Sequence, residues 1–252
     1  MNVKTNGDTV AHMYRELRAE PIIRTIERLQ CRIRDRFPDS NLVKVAGELL
    51  DVAHSATTTV IDIRRPRWPL RIGVGTLAIL MVTLLAAVVP WRGPEQIASS
   101  KADYLQGLDA AVNELVLIGG VIFFLMTLEG RLKRRRALGA MHELRSLAHV
   151  VDMHQLAKDP ERLVMPGNDT ASSHRREMTP FQMSRYLEYC SELLALVSKI
   201  GALYAEYFDD AVTLAAVDDL DDLTTGLSQK IWQKLMILNM RKDNDPKTAA
   251  PA

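Results

Sequence analysis

Two hydrophobic rhythms divide this chain. Over most of it apolar residues recur every three or four positions, the spacing that lays one stripe along an α-helix. Ile22, Ile23, Ile26, Leu29, Ile33 and Phe37 form such a stripe and predict a helix over residues 10–36. The turn Phe37-Pro-Asp-Ser-Asn41 offers an N-cap. Leu42, Val45, Ala46, Leu49, Val52, Ala53 and Ala56 then predict a second helix running toward Ile63. Further on, Leu144, Leu147 and Val151 mark a helix over roughly residues 131–157, and the Pro- and Gly-bearing stretch 158–178 reads as a loop. Thr179-Pro180 with Gln182 has the form of a capping box with proline at N1. The helix it opens runs to about Phe208 and carries Leu187, Cys190, Leu194, Val197, Gly201 and Tyr204. Asp209 and Asp210 begin a last one, with Val217, Leu220, Leu227, Ile231 and Leu238 at heptad-like spacing. No strand-like alternation stands out, so the class is all-α.

The other rhythm is unbroken. From Ile72 to Trp91 twenty residues carry no charge, with Trp68-Pro69 before the run and Pro90-Trp91 closing it. As a helix this run is ~30 Å long, about the hydrocarbon thickness of a bilayer. A second stretch, residues 108–128, holds fourteen uncharged positions from Leu115 to Leu128. One or two more turns upstream bring it to a spanning length, at the cost of Asn113 and Glu114 near one interface.

Basic residues set the direction of threading. Arg64, Arg65, Arg67 and Arg71 precede the first run, and Arg131, Lys133, Arg134, Arg135 and Arg136 follow the second. The connection between them holds only Arg92 and Lys101 against Glu95 and Asp103. Positive flanks stay in the cytoplasm. The expected fold is therefore a two-helix transmembrane hairpin with a cytoplasmic helical bundle, both termini cytoplasmic. Its parts are N-terminal helices (1–69), a first span (70–91), a short outer connection (92–107), a second span (108–128), a C-terminal helical domain (129–240) and a disordered tail (241–252). Small and hydroxyl residues recur on each span: Gly73, Thr76, Thr83 and Ala87 on the first, Gly120 and Thr127 on the second. Such positions let helix backbones approach in lipid, within one chain or between copies.

Composition adds mainly exclusions. Thirty-two basic residues balance thirty-one acidic ones, which gives no bias toward nucleic acid. Cys31 and Cys190 form neither a CxxC nor a Cys/His spacing, so a disulfide framework or zinc knuckle is not expected. Residues 1–21 are polar and read as no cleavable signal peptide. Seven acids between Glu206 and Asp222, with no base from 200 to 229, suggest a surface that the arginine-rich first helix could meet.

Three constellations bear on chemistry. His142, His149 and Asp152 are the densest group of ligand types, but no HExxH or ExxH is formed and Arg145 lies among them. A polar helix face accounts for them better than a metal. The run Asp218-Asp219-Leu-Asp221-Asp222 lacks the glycine and closing glutamate of a calcium loop. Asp109, Asn113 and Glu114, at the outer start of the second span, could form a cation-attracting ring if several protomers surrounded an axis. An acidic helix N-terminus in the headgroup zone is the simpler account. No phosphate loop or catalytic triad is readable, so neither an enzyme nor a bound cofactor is expected.

The stretches HELRSLAHVVDMHQLAKDPERL and LTTGLSQKIWQKLMIL resemble those of bacterial inner-membrane proteins with two spans and no assigned activity. That resemblance implies a bacterial cytoplasmic-membrane setting and transfers no functional residue. The expected role is a non-enzymatic membrane-anchored scaffold or regulator, partnered by lipid and by another copy or another protein. The alternative is an oligomeric ion-conducting pore.

Overall fold

The computed structural model describes residues 17–65, seven helical positions between 72 and 83, and residues 101–156, 158, 160 and 178–244. Among these residues the secondary structure is helical throughout: α1 (Ala19–Arg36), α2 (Leu42–Arg64), α3 (Lys101–Leu156), α4 (Pro180–Tyr207) and α5 (Ala211–Asn244). The chain divides into two units, one drawn from Met1–Arg64 and Arg136–Ala252, the other from Arg65–Arg135.

The first unit is a helical bundle built from both flanks of the chain. Ile22, Ile26, Leu29 and Ile33 are the buried stripe of α1. Burying each such side chain contributes ~1.5–3 kcal/mol, so this one face fixes how α1 sits. It packs on α2 and α4, and α2 packs on α4 as well. Helix α4 runs through the middle, burying residues on most of its circumference, Leu187, Cys190, Leu194, Val197 and Ile200 among them. It joins α5 across three residues. Ser198 bonds Asp221, and Gly201 faces Leu220. As numbers rise on α4 they fall on α5, so the pair is antiparallel. From α3, Ala137, Met141, Leu144, Ala148 and Val151 complete the same core.

Local signals explain most helix ends. Thr179 accepts from the Gln182 amide at 3.2 Å, and the Gln182 side chain accepts from the Thr179 amide at 2.9 Å. Asp210 caps α5 by accepting from the amide and hydroxyl of Thr213, both at 3.0 Å. Helix α2 stays helical through its β-branched end, where Val60 and Ile63 are buried in the bundle and Thr57, Thr58 and Thr59 return their hydroxyls to carbonyls three or four residues back.

Three boundaries differ from expectation. Helix α1 begins at Ala19, where Pro21 falls in the first turn; a proline farther inside a helix would break its ladder. The second apolar stretch and the amphipathic helix after it are one helix, α3, of 56 residues, which also takes in the end of the expected outer connection. The basic cluster between them changes the surroundings, not the backbone, and no proline interrupts it. Helix α5 continues past Met240 to Asn244, two residues before Pro246.

The first expected span, Ile72–Trp91, lies outside the described residues except at Ile72, Gly73, Gly75, Thr76, Ile79, Leu80 and Thr83, all helical. Among the described residues no helix is long and apolar enough to cross a membrane.

Candidate functional site

In the Arg65–Arg135 unit, α3 places Asp109 and Asn113 one turn apart, both exposed. The Glu114 side chain and all of Ala87 lie outside the described residues. A methyl carbon built on Gly73 or Gly120 meets nothing within 4 Å among those residues. The hydroxyls of Thr76 and Thr83 donate to the carbonyls of Ile72 and Ile79, and that of Thr127 to Phe124. Each hydroxyl is thus satisfied inside its own helix.

This unit turns large apolar side chains outward. Leu117 is 65% exposed, Phe123 68% and Phe124 52%. The opposite side of α3 is covered: Ile118 is 7% exposed, and the Lys133–Glu129 pair, 2.9 Å apart, keeps side-chain exposures of 14% and 12%.

In the bundle, the polar cluster expected on α3 does not converge. His142 and His149 are exposed, and Asp152 accepts from Gln155 Nε2 at 2.6 Å. No group of three His, Cys, Asp or Glu able to hold a metal occurs among the described residues. The structure gathers a different set beside it. Tyr186 Oη lies 3.5 Å from His154 Nδ1, Lys158 stands 5.2 Å over the Tyr186 ring, and Lys234 donates to the Gln155 carbonyl at 2.8 Å. Burial, then the Lys158 charge, lowers the His154 pKa. Cys190 is fully buried, and that burial pushes its thiol up to about 12 against the opposing charges of Lys234 and Lys158. Such a thiol is not a nucleophile at neutral pH.

A cavity of about 310 Å³ with a mixed polar and apolar lining opens between α2, α3 and α4. Arg136 reaches Asp62 at 3.8 Å on its wall, with Glu143, Thr58 and Tyr204 also lining it. Burial pushes the Tyr204 phenol up to about 12, eased by a hydrogen bond with Thr59 and raised further by the Glu143 charge. The wall therefore offers a neutral phenol, two carboxylates and one guanidinium. It can hold a small polar guest, but it supplies no activated nucleophile. Spacing along the chain could not have found this group, since its members come from three helices.

Among the described residues, one arginine of the arginine-rich helix and one acid of the acidic stretch pair with other helices. Arg32 of α1 forms a two-point pair with Glu192 of α4, and Arg145 of α3 reaches Asp219 of α5 at 3.6 Å. All four groups are well exposed, so each pair contributes ~0–1 kcal/mol.

No family model, curated protein or solved structure matches this chain.

Proposed function

We propose that this protein is a membrane-anchored scaffold or regulator: a two-helix hairpin in a bacterial cytoplasmic membrane that carries a helical bundle on the cytoplasmic side. One contrast carries the reading. The bundle gathers most of its large apolar residues around a continuous core and leaves a minority outside, while among the described residues of the Arg65–Arg135 unit only Ile118 is buried and Leu117, Phe123 and Phe124 are exposed. Water penalises such exposure and lipid does not. The exposed face of α3 runs from Asn113 through Leu117 and Phe124 to Arg131, nineteen residues that rise ~27 Å, close to a bilayer's hydrocarbon depth. The charge bias of the flanks and the uncharged run Ile72–Trp91 support the same threading.

A role in interaction is favoured over catalysis by the surface of the bundle. Trp232, Met236 and Met240 recur every fourth residue on α5 at 62%, 57% and 64% exposure, which suits a contact with another protein. A pore lined by Asp109 and Asn113 would need their face of α3 to meet water. The next residues on that face, Leu117 and Phe124, are large and apolar, which favours an anchor.

Reporter fusions at both termini, combined with ultracentrifugation without detergent, test the anchor. Two cytoplasmic termini and full-length protein in the membrane pellet are expected. Termini in opposite compartments, or protein in the supernatant, would overturn it. For the scaffold role, a stable partner or a second copy should co-purify in mild detergent and be lost in Trp232→Ser/Met236→Ser. Unchanged assembly of that variant argues against it.

A further inference from the structure

On α3, Asn113, Leu117, Phe124, Leu128, Arg131 and Arg135 recur at intervals of three, four and seven. At ~100° per residue they fall within an arc of about 60°. The opposite arc holds the buried Ile118 and the covered Lys133–Glu129 pair, so this helix has one closed side and one open side. The open side is apolar at Leu117 and Phe124 and then turns abruptly basic. The Arg131 guanidinium folds back over the Phe124 ring, 5.7 Å from its centre, in the N-terminal direction that helical side chains favour. Arg135 follows one turn on, ~6 Å along the axis, and is exposed. Neither arginine has a carboxylate partner among the described residues, and the nearest acid in sequence, Glu129, is held by Lys133 on the closed side.

We propose that this face binds an anionic phospholipid, its phosphate held by Arg131 and Arg135 and one acyl chain lying along Phe124 and Leu117. The proposal rests on the membrane reading above. The guanidinium fork fits phosphate oxygens in pairs, and stacking on Phe124 holds one fork ready. A water-soluble anion would leave the apolar half of the face uncovered. A zwitterionic lipid brings its own cation against the arginines. A second copy threaded the same way would set Arg131 and Arg135 against their own counterparts, a like-charge contact. An anionic amphiphile matches both halves.

The test titrates the delipidated full-length protein in detergent with dioleoyl phosphatidylglycerol or dioleoyl phosphatidylcholine, counting bound lipid by native mass spectrometry. The glycerol lipid should bind at least about 10-fold tighter. Arg131→Gln/Arg135→Gln should weaken it about 10- to 30-fold, roughly the effect of two charges, and bring it near the choline lipid. Arg131→Lys/Arg135→Lys, which keeps the threading charges and controls for folding, should retain part of the preference. Equal binding of the two lipids, or an unaltered double glutamine variant, overturns the proposal. So does displacement by millimolar glycerol phosphate, which would mark a plain anion site, or a dimer cross-linked through this face that excludes lipid. A chain that stays in solution without detergent defeats the membrane reading first, whatever the lipid ratio.

Discussion

Gly201 of α4 and Leu220 of α5 meet so closely that a methyl carbon on the glycine would lie 2.7 Å from Leu220 Cδ2. Leu220 is 1% exposed and Met141 Sδ is 3.8 Å from the same point, so the leucine has little room to swing aside. The missing side chain sets the separation of the two most closely packed helices. Gly201→Ala gains up to ~1 kcal/mol of helix propensity and loses ~1–3 kcal/mol to overpacking. The net expectation is a loss of about 1 kcal/mol, lowering Tm by a few degrees. Gly226 lies within α5 with nothing within 4 Å of an added methyl among the described residues, so Gly226→Ala should raise stability instead. Thermal unfolding of both variants checks the pair; equal stabilisation would mean that the α4–α5 contact is loose.

What was legible beforehand was local. The Thr179 cap is written into four adjacent residues, and the stripe of α1 into a spacing, so both could be read without knowing the fold. The start of α1 carries no such signal: the apolar stripe begins only at Ile22, residues 10–16 of the expected helix lie outside the described residues, and Leu17 and Arg18 are not helical. Helix α3 was divided because a change from apolar to basic residues resembles a boundary, although the backbone crosses it without a break. The cavity shared by Asp62, Glu143 and Tyr204 was out of reach for another reason. Its residues are brought together by packing of three helices, and no interval along the chain encodes that. His142 and His149 lie exposed on one helix, and a shared helix does not by itself supply converging ligands.

The reciprocal bonds between Thr179 and Gln182 satisfy donors at the start of α4 that a buried helix end would otherwise leave open. Thr179→Ala should cost about 1 kcal/mol, and Gln182→Ala less, since it removes only the returning bond. Urea unfolding gives the magnitude. Amide exchange should quicken in the first turn of α4 and leave its centre unchanged; uniform acceleration would show that the cap supports the whole bundle.

Alkaline pH should weaken the bundle. Tyr186 and Tyr204 ordinarily lose a proton near 10 and Cys190 near 9, and in the fold burial pushes all three up to about 12. Below about pH 9 all three are neutral whether folded or not, and their contribution is fully present. As pH rises from there, the unfolded chain releases protons that the folded chain keeps, so stability falls until about 12. Tm should decline across that window, and Tyr204→Phe should flatten the decline by up to one proton per molecule. An unchanged slope in that variant would show that Tyr204 ionises freely in the fold.

The two cysteines should separate cleanly by reactivity. Cys31 is exposed on α1, whereas Cys190 is wholly buried in α4 with its thiol held neutral. The thiolate is the attacking form, so burial protects Cys190 twice: by denying access and by suppressing ionisation. A maleimide added to the native protein at pH 7 should modify one site within minutes, and Cys31→Ser should abolish that reaction. Cys190 should become reactive only as the bundle opens, at a rate that follows the population of open molecules across a urea series. Rapid modification of both sites in the native protein would mean that α4 is not the enclosed centre of the bundle.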